Sequence, residues 1–592
     1  MENSIKERLA SLRLEMKKLG LDAWYLSGTD PHLSEYLPDY WKIRTFISGF
    51  NGSFGFLVVT LNDAALWTDS RYFLQAAEQL KDTGIQLMKL RMEGTPTPAK
   101  WLGQVLKEDG VVGTDAACMS TASYKSMRTG LAAESLQLKD CGDLMETVWI
   151  NRPILPPDPI FEHDVKYAGQ SRLEKIAVIR KELKASKAQA ILLTALDDIA
   201  WTFNLRGTDI TYNPVFVSFA LITENDIQLY LNLDKVSADL QKKLGEEGIL
   251  LKEYAEVYTD LITIAGKILV DPDRTNQALV EAISPEAGIQ FQLSTAAILK
   301  AIKSEHELKM FEIAMQKDGV AMVKFLYWLN STVGKKAFNE YDVLLKLEEF
   351  RSQQEGFKGS SFYAIVGYNE NGAVVHRSVT PETAASIEAN GILLFDSGGQ
   401  YLEGSTDITR TVSLSEPNEL AKEDYTLALK GTIGLAELKF PANTAGCNLD
   451  LAARHALWQT GRNYGHGTGH GIGFFLNVHE GPMSIRQEYN DRVIEPGMVL
   501  SDEPAFYREG LYGIRIENVI ACKDWKTNEY GRFLKFDTLT LCPIDTRLIE
   551  KKLLTEAEVN WLNSYHERCN LELSPSLNEE EKNFLKEITQ AI

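Results

Sequence analysis

A chain of 592 residues exceeds what one hydrophobic core supports, so two to four domains are expected. Hydrophobic residues make up 44% and charged residues 24%, as in an ordinary globular protein; 62 basic against 82 acidic side chains leave a formal charge of -20, which argues against nucleic acid as the main partner. No stretch approaches the roughly 20 apolar residues that cross a bilayer, and six scattered cysteines without a C-x-x-C pair indicate neither a zinc knuckle nor a disulfide framework, so a reducing, cytoplasmic setting with no membrane partner is expected.

The chain opens on "MENSIKERLASLRLEMKKLG", a charged amphipathic helix without the apolar core of a signal peptide. A helix, the strand "AWYLSGTD", a Gly/Asp turn and two further strands follow. The proline-rich run "WINRPILPPDPIF" then reads as an extended linker. After it the same plan returns: a helix from Ser171, "AILLTALDDIAWTFNLRGTD", "PVFVSFALIT" and "IQLYLNLDKV". Two related α/β domains are expected, 1–150 and 151–303. Chance likeness between α/β units is the competing explanation. Neither domain shows paired acids or clustered histidines, so both are expected to shape access and assembly. A third domain, 304–592, starts where Ser304 and Glu307 form a capping box ahead of a long helix. It ends in a charged helical tail after Ile544.

Within the third domain, "NGILLFDSGGQYLEGSTDITRTVSL" reads as a hairpin. An apolar strand ends at Asp396, an alternating strand carries Asp407, and "LEG" turns between them. The two aspartates become near cross-strand neighbours, where like charges are destabilising without a cation between them. "PGMVLSDEPAFYREGLYGIRIENVIAC" repeats the device. Glu503 and Glu517 are symmetric about Gly510 in the turn "REG", and Arg515 shares a face with Glu517. A solvated strand end explains any one of these acids, but a repeated opposition is harder to explain that way. Four carboxylates suffice for two divalent cations.

"YGHGTGHGIGFFLNVHEGP" holds His466, His470 and His479. Glycine at such density is tolerated where backbone bends sharply or approaches something closely. Bare backbone around His470 would let its ring reach the carboxylates. An oxygen-rich site with one imidazole and no thiolate suits Mn, Mg, Co or Zn.

At these residues the sequence resembles the pita-bread metallopeptidases, the family of methionine aminopeptidase, prolidase and aminopeptidase P, and within it the long three-domain Xaa-Pro aminopeptidases. "FDSGGQYLEGSTDITRT", "HGTGHGIG", "SDEP" and "GIRIEN" carry the metal pattern, and "SGFNGS", "LWTDSRYFLQAAEQL", "NPVF" and "WLNSYH" the subgroup. The resemblance implies an α/β (α+β) fold, with two creatinase-like domains followed by a pita-bread catalytic domain. It implies Asp396, Asp407, His470, Glu503 and Glu517 as ligands of two divalent ions, Mn2+ first, with Co2+ or Zn2+ as alternatives. The activity implied is removal of the first residue from peptides with proline second, by a hydroxide bridging the two metals. Glu503 would manage its proton. His466 would lie on the substrate side, His376 and His479 would flank the scissile bond and proline pocket, and Arg515 would stand beside the last ligand. The plainer alternatives are a solvent-facing strand for His376, a loop cap for His479 and a turn for His466. The subgroup often shows H-Y-x-P after the first of these histidines, whereas this chain reads "HRSVTP", so that wall of the pocket differs. A homodimer is implied. Rival readings are a prolidase limited to Xaa-Pro dipeptides, and a binding module or amidinohydrolase of the same fold without metal.

Overall fold

The computed structural model of the chain describes residues 4–592. They form two compact units, one up to His163 together with Gln170–Ile298, the other Asp164–Gly169 with Leu299–Ile592. The expected N-terminal helix, Ile5–Lys18, begins at a Ser4/Glu7 capping box.

The first unit contains two six-stranded sheets. In the first, β1 (Ala23–Leu26), β2 (Phe56–Thr60), β3 (Ala64–Thr68), β4 (Gln86–Lys89), β5 (Val111–Thr114) and β6 (Gln137–Asp140) lie in the order β4-β3-β2-β1-β5-β6. In the second, β7 (Ala190–Leu193), β8 (Ser218–Thr223), β9 (Ile227–Leu231), β10 (Ile249–Glu253), β11 (Lys267–Val270) and β12 (Gly288–Phe291) lie in the order β10-β9-β8-β7-β11-β12. Strand directions also agree. β1–β2–β3 and β7–β8–β9 run antiparallel, and the flanking pairs run parallel. A shared order and shared directions throughout are more than the loose likeness of two α/β segments.

One local expectation fails. Between β7 and β8, where the repeated plan puts only a Gly/Asp turn, the chain forms a helix, Leu196–Phe203, with Asp197 and Asp198 near its start. All its residues are buried, and the two acids occupy its first turn, where the helix dipole favours them. Asn204 at φ 50° ends it in the left-handed conformation.

The second unit opens with the 28-residue helix Glu305–Thr332, capped by Ser304 and Glu307 as expected. A three-stranded antiparallel sheet joins β13 (Ile365–Tyr368), β14 (Ile392–Ser397) and β15 (Ile408–Ser413). A six-stranded sheet contains β16 (Lys439–Pro441), β17 (Gly469–Gly471), β18 (Glu480–Ile485), β19 (Val499–Asp502), β22 (Asn518–Asn528) and β23 (Gly531–Thr538), and a separate pair is formed by β20 (Ala505–Arg508) and β21 (Tyr512–Arg515). Helices Glu419–Ala436 and Gly446–Trp458 pack together, and Glu556–Leu573 and Glu579–Ile588 form the tail. Among the described residues no helix is long and apolar enough to cross a membrane.

Candidate metal centre

The acids of the centre meet through strand register. In the first hairpin β14 pairs with β15, but Asp396 stands opposite Thr409, not Asp407. Asp407 precedes β15 and does not lie on it. The slip is two residues, so Asp407 stays on the face of Thr409, diagonal to Asp396. The small hairpin between the strands, Gly399–Tyr401 with Gly404–Ser405, keeps the same register, centred between Leu402 and Glu403, and the two aspartates are not symmetric about that point. A Cβ on Gly398 would lie 1.9 Å from the Thr406 carbonyl oxygen, so this crossing needs glycine.

The second pair follows the expected symmetry. β19 pairs with β22 through Asp502 and Asn518, and β20 with β21 through Ala505 and Arg515. Both ladders share one register about Gly510, which has φ +74°. Glu503 and Glu517 face each other in the break between them. "GIRIENVI" is therefore two strands, parted at Ile516 and Glu517.

His470 is the middle residue of β17, between β18 and β19. The glycines beside it serve a different end from leaving the metal site unobstructed. A Cβ on Gly469 would meet the Ser501 carbonyl oxygen at 2.1 Å, and one on Gly471 the Glu480 carbonyl oxygen at 2.4 Å. They let neighbouring backbones close on the strand that carries the imidazole. His470 Nδ1 lies 2.9 Å from the Gly471 carbonyl oxygen, which can only accept, so Nδ1 carries the proton and Nε2 is left as a donor of electrons. Nε2 is 3.5 Å from Asp407 Oδ2 and 3.7 Å from Glu503 Oε1.

Donor atoms of Asp407, His470 and Glu517 lie within 4.8 Å of one another. Asp396 joins this group through Arg515. The buried guanidinium donates to Asp396 Oδ2 at 2.6 Å, to the Tyr507 hydroxyl at 2.6 Å and to Thr409 Oγ1 at 3.0 Å. Thr409 in turn donates to Glu517 Oε2 at 2.6 Å. Asp396 Oδ1 is buried without a protein partner. Burial pushes the carboxyls of Asp396, Asp407, Glu503 and Glu517 up, and repulsion by neighbouring carboxylates adds to it; Arg515 opposes the rise at all four, with His479 helping at Asp407 and His470 at Glu503. One guanidinium against four carboxylates leaves a deficit of positive charge. The donor set and the free Asp396 oxygen fit hard or borderline divalent cations.

A pH dependence follows for metal-free protein. Carboxyls held above the ordinary value of about 4 keep protons in the folded chain that the unfolded chain has lost, so stability falls as pH rises through that window. Chelated protein is expected to melt at lower temperature at about pH 8 than at about pH 5, with the gap to metal-loaded protein widening over the same range. Calorimetry on both forms checks this; a gap constant with pH would contradict it.

The other predicted residues are placed as follows. His479 and His470 have ring centres 4.3 Å apart at 73°. His466 Nε2 is 2.9 Å from the Tyr507 hydroxyl and Nδ1 3.8 Å from Glu503 Oε2. His376 is half-buried in a turn, not on a strand. Ser378 beyond it bridges to Ile365, whose other partner is Asp396.

Several contributors were missed by sequence reasoning. Thr409 and Tyr507 tie Arg515 to the acids. Asp450 and Arg454 anchor the histidine loop: Arg454 donates to Asp450 and to the Tyr464 and His466 carbonyls, and Thr468 donates to Asp450. Glu480, next to His479, pairs with Lys300 at 3.1 Å and with Lys303, and all three side chains are buried. Stripping one partner from such a pair costs about 3–5 kcal/mol.

Residues 309–524 match the model of metallopeptidase family M24, and 532–592 that of its C-terminal region. Residues 8–148 and 151–307 each match a creatinase/prolidase N-terminal domain. The chain is 41% identical over 580 residues to a "Probable Xaa-Pro aminopeptidase P" of Aspergillus flavus, covering 95% of this chain and 88% of that one. A protein of the same name from Coprinopsis cinerea is 39% identical over 601 residues, covering 97% and 96%. The crystal structure of an X-prolyl aminopeptidase from Caenorhabditis elegans, described as a cytosolic enzyme with a di-nuclear active site, superposes over 100% of both chains with a TM-score of 0.95 at 34% identity.

Proposed function

This chain belongs to metallopeptidase family M24, and from that premise we propose how its centre works. It is a metal-dependent aminopeptidase that hydrolyses the first peptide bond of peptides with proline in second position. The observation that carries the reading is the convergence of Asp407, His470 and Glu517 donors, with Asp396 and Glu503 beside them. These five residues would hold two divalent cations. When bound, the cations supply Lewis acidity, lowering the pKa of a coordinated water and polarising the scissile carbonyl. Mn2+ is the proposed metal, because four carboxylates and one imidazole favour hard or borderline ions.

The protein's own groups divide the remaining work. Arg515 keeps Asp396 Oδ2 occupied and so aims Oδ1 inward. Thr409 does the same for Glu517 by engaging Oε2. The Glu503 carboxylate takes the proton of the attacking water and returns it to the departing amine. His479 and His376 donate hydrogen bonds at the scissile carbonyl, and His466, steadied by Tyr507, orients the substrate. The intact set of five sets aside a metal-free binding module. The proposed setting is cytosolic, with all six cysteines free, and the proposed assembly is a homodimer, which light scattering tests.

Exhaustive chelation is expected to abolish release of the first residue from an Xaa-Pro-Yaa tripeptide, and Mn2+ to restore it. Full turnover in metal-free protein would refute the reading. Cleavage of Xaa-Pro dipeptides alone would favour the prolidase instead.

A further inference from the structure

The departure from H-Y-x-P places an arginine, Arg377, directly after His376. Its guanidinium turns to a carboxylate. Glu340, fully buried, is the first residue of the helix Glu340–Ser352. Its Oε1 accepts from the Tyr368 amide at 2.8 Å and from Asn371 Nδ2 at 2.9 Å. Its Oε2 accepts from the Ala385 amide at 2.9 Å and from Arg377 Nη2 at 3.0 Å. Arg377 Nη2 also donates to the Thr383 carbonyl at 2.8 Å. One carboxylate thus gathers the end of β13, the 369–373 turn and both arms of the loop that carries His376.

The loop is pinned elsewhere too. The Glu340 amide donates to the Ala385 carbonyl at 3.1 Å, Ser378 bridges Ile365, and the Tyr363 hydroxyl donates to the Val379 carbonyl. The 369–373 turn is pressed on β21, the strand of Arg515. A Cβ on Gly372 would lie 2.9 Å from the Gly513 nitrogen, and one on Gly513 1.8 Å from the Gly372 carbonyl oxygen. Of these ties, Arg377 is the one adjacent to His376. It is also a side chain, so it can be changed without touching the backbone.

We propose that Arg377 is a positioning residue for His376, and that the Glu340–Arg377–Thr383 latch fixes where this imidazole stands over the metal centre. The proposal rests on the role given to His376 above. Loss of the latch leaves the segment around His376 held from its far side, at Ser378 and Val379. A displacement of about 1 Å at a reacting group lowers turnover by up to about 10²-fold.

The test measures kcat, KM and metal content of the Mn2+-loaded enzyme on an Xaa-Pro-Yaa tripeptide. Arg377→Ala is expected to lower kcat by roughly 10- to 10²-fold, with KM and metal content near the parent values. Arg377→Lys, which keeps the charge against Glu340, should recover part of the loss. Against a His376→Ala background, Arg377→Ala should add no further loss, because the latch acts through that ring. If the two losses multiply, or if Arg377→Ala turns over at the parental rate while His376→Ala does not, the proposal is overturned. If His376→Ala itself retains full turnover, the role given to His376 fails first. Should Arg377→Ala not fold, Glu340→Gln paired with Arg377→Met removes both charges together. That pair should melt near the parent and remain slow; parental kcat there would also overturn the latch.

Discussion

His470→Ala is expected to lose bound metal and turnover together. The imidazole is the one nitrogen donor among the five proposed ligands, and its geometry leaves it no other task. Nδ1 is spent on the Gly471 carbonyl, so Nε2 presents a lone pair toward Asp407 and Glu503. A lone pair facing two carboxylates is repulsive unless a cation lies among them. Glycines on both sides allow the backbone carbonyls of Ser501 and Glu480 to close on the strand, so the ring stands on a rigid base. Substituting partners outside the ligand set of a metal site typically costs 10- to 100-fold in affinity or activity, and loss of a ligand should exceed that range. Elemental analysis and kcat on the same preparation check this. Two metals retained per chain in His470→Ala would remove it from the ligand set. Lower thermal stability with unchanged metal and turnover would make it a turn residue only.

Much of this centre was legible because its acids lie on strands whose turns mark the register. Gly510 is the symmetry point of both ladders around it, and Glu503 and Glu517 follow from counting outward. The same counting was off by two residues at Asp396, since the ladder is centred between Leu402 and Glu403, one position beyond the midpoint of the two aspartates. The two N-terminal sheets were legible as a repeated pattern of strands, whereas the helix Leu196–Phe203 fell where that pattern put only a turn. What stayed out of reach was the layer behind the ligands. Thr409 meets Glu517 across 108 residues, and Lys303 meets Glu480 across 177. A threonine on an alternating strand and a lysine before a helix carry no periodicity that names such partners. Their meaning is supplied by tertiary packing alone. Arg377 is the intermediate case. The sequence marks it as a departure, but only the burial of Glu340 says what the departure does.

His479→Ala is expected to keep its metals and its fold while turnover drops by roughly 10²–10³-fold, the scale for removing one preorganised donor at a transition state. Its ring lies edge-on to His470 at 4.3 Å, close enough to the centre to reach a substrate bound there. It also lies close enough to Asp407 to oppose, when protonated, the upward push that burial gives that carboxyl. Yet its backbone is held by other means. The next residue, Glu480, begins β18 and is fixed by Lys300 and Lys303 in a buried cluster that the substitution leaves whole. The imidazole is therefore mounted on a frame that does not depend on it, and truncating the ring should remove a hydrogen-bond donor without releasing the loop. This separates it from His470, whose loss takes the metals as well. The check is kcat with metal content and melting temperature on one preparation. A His479→Ala protein that has lost its metals would show that this ring supports the ligand set. One that turns over at the parental rate would show that the oxyanion is stabilised without it.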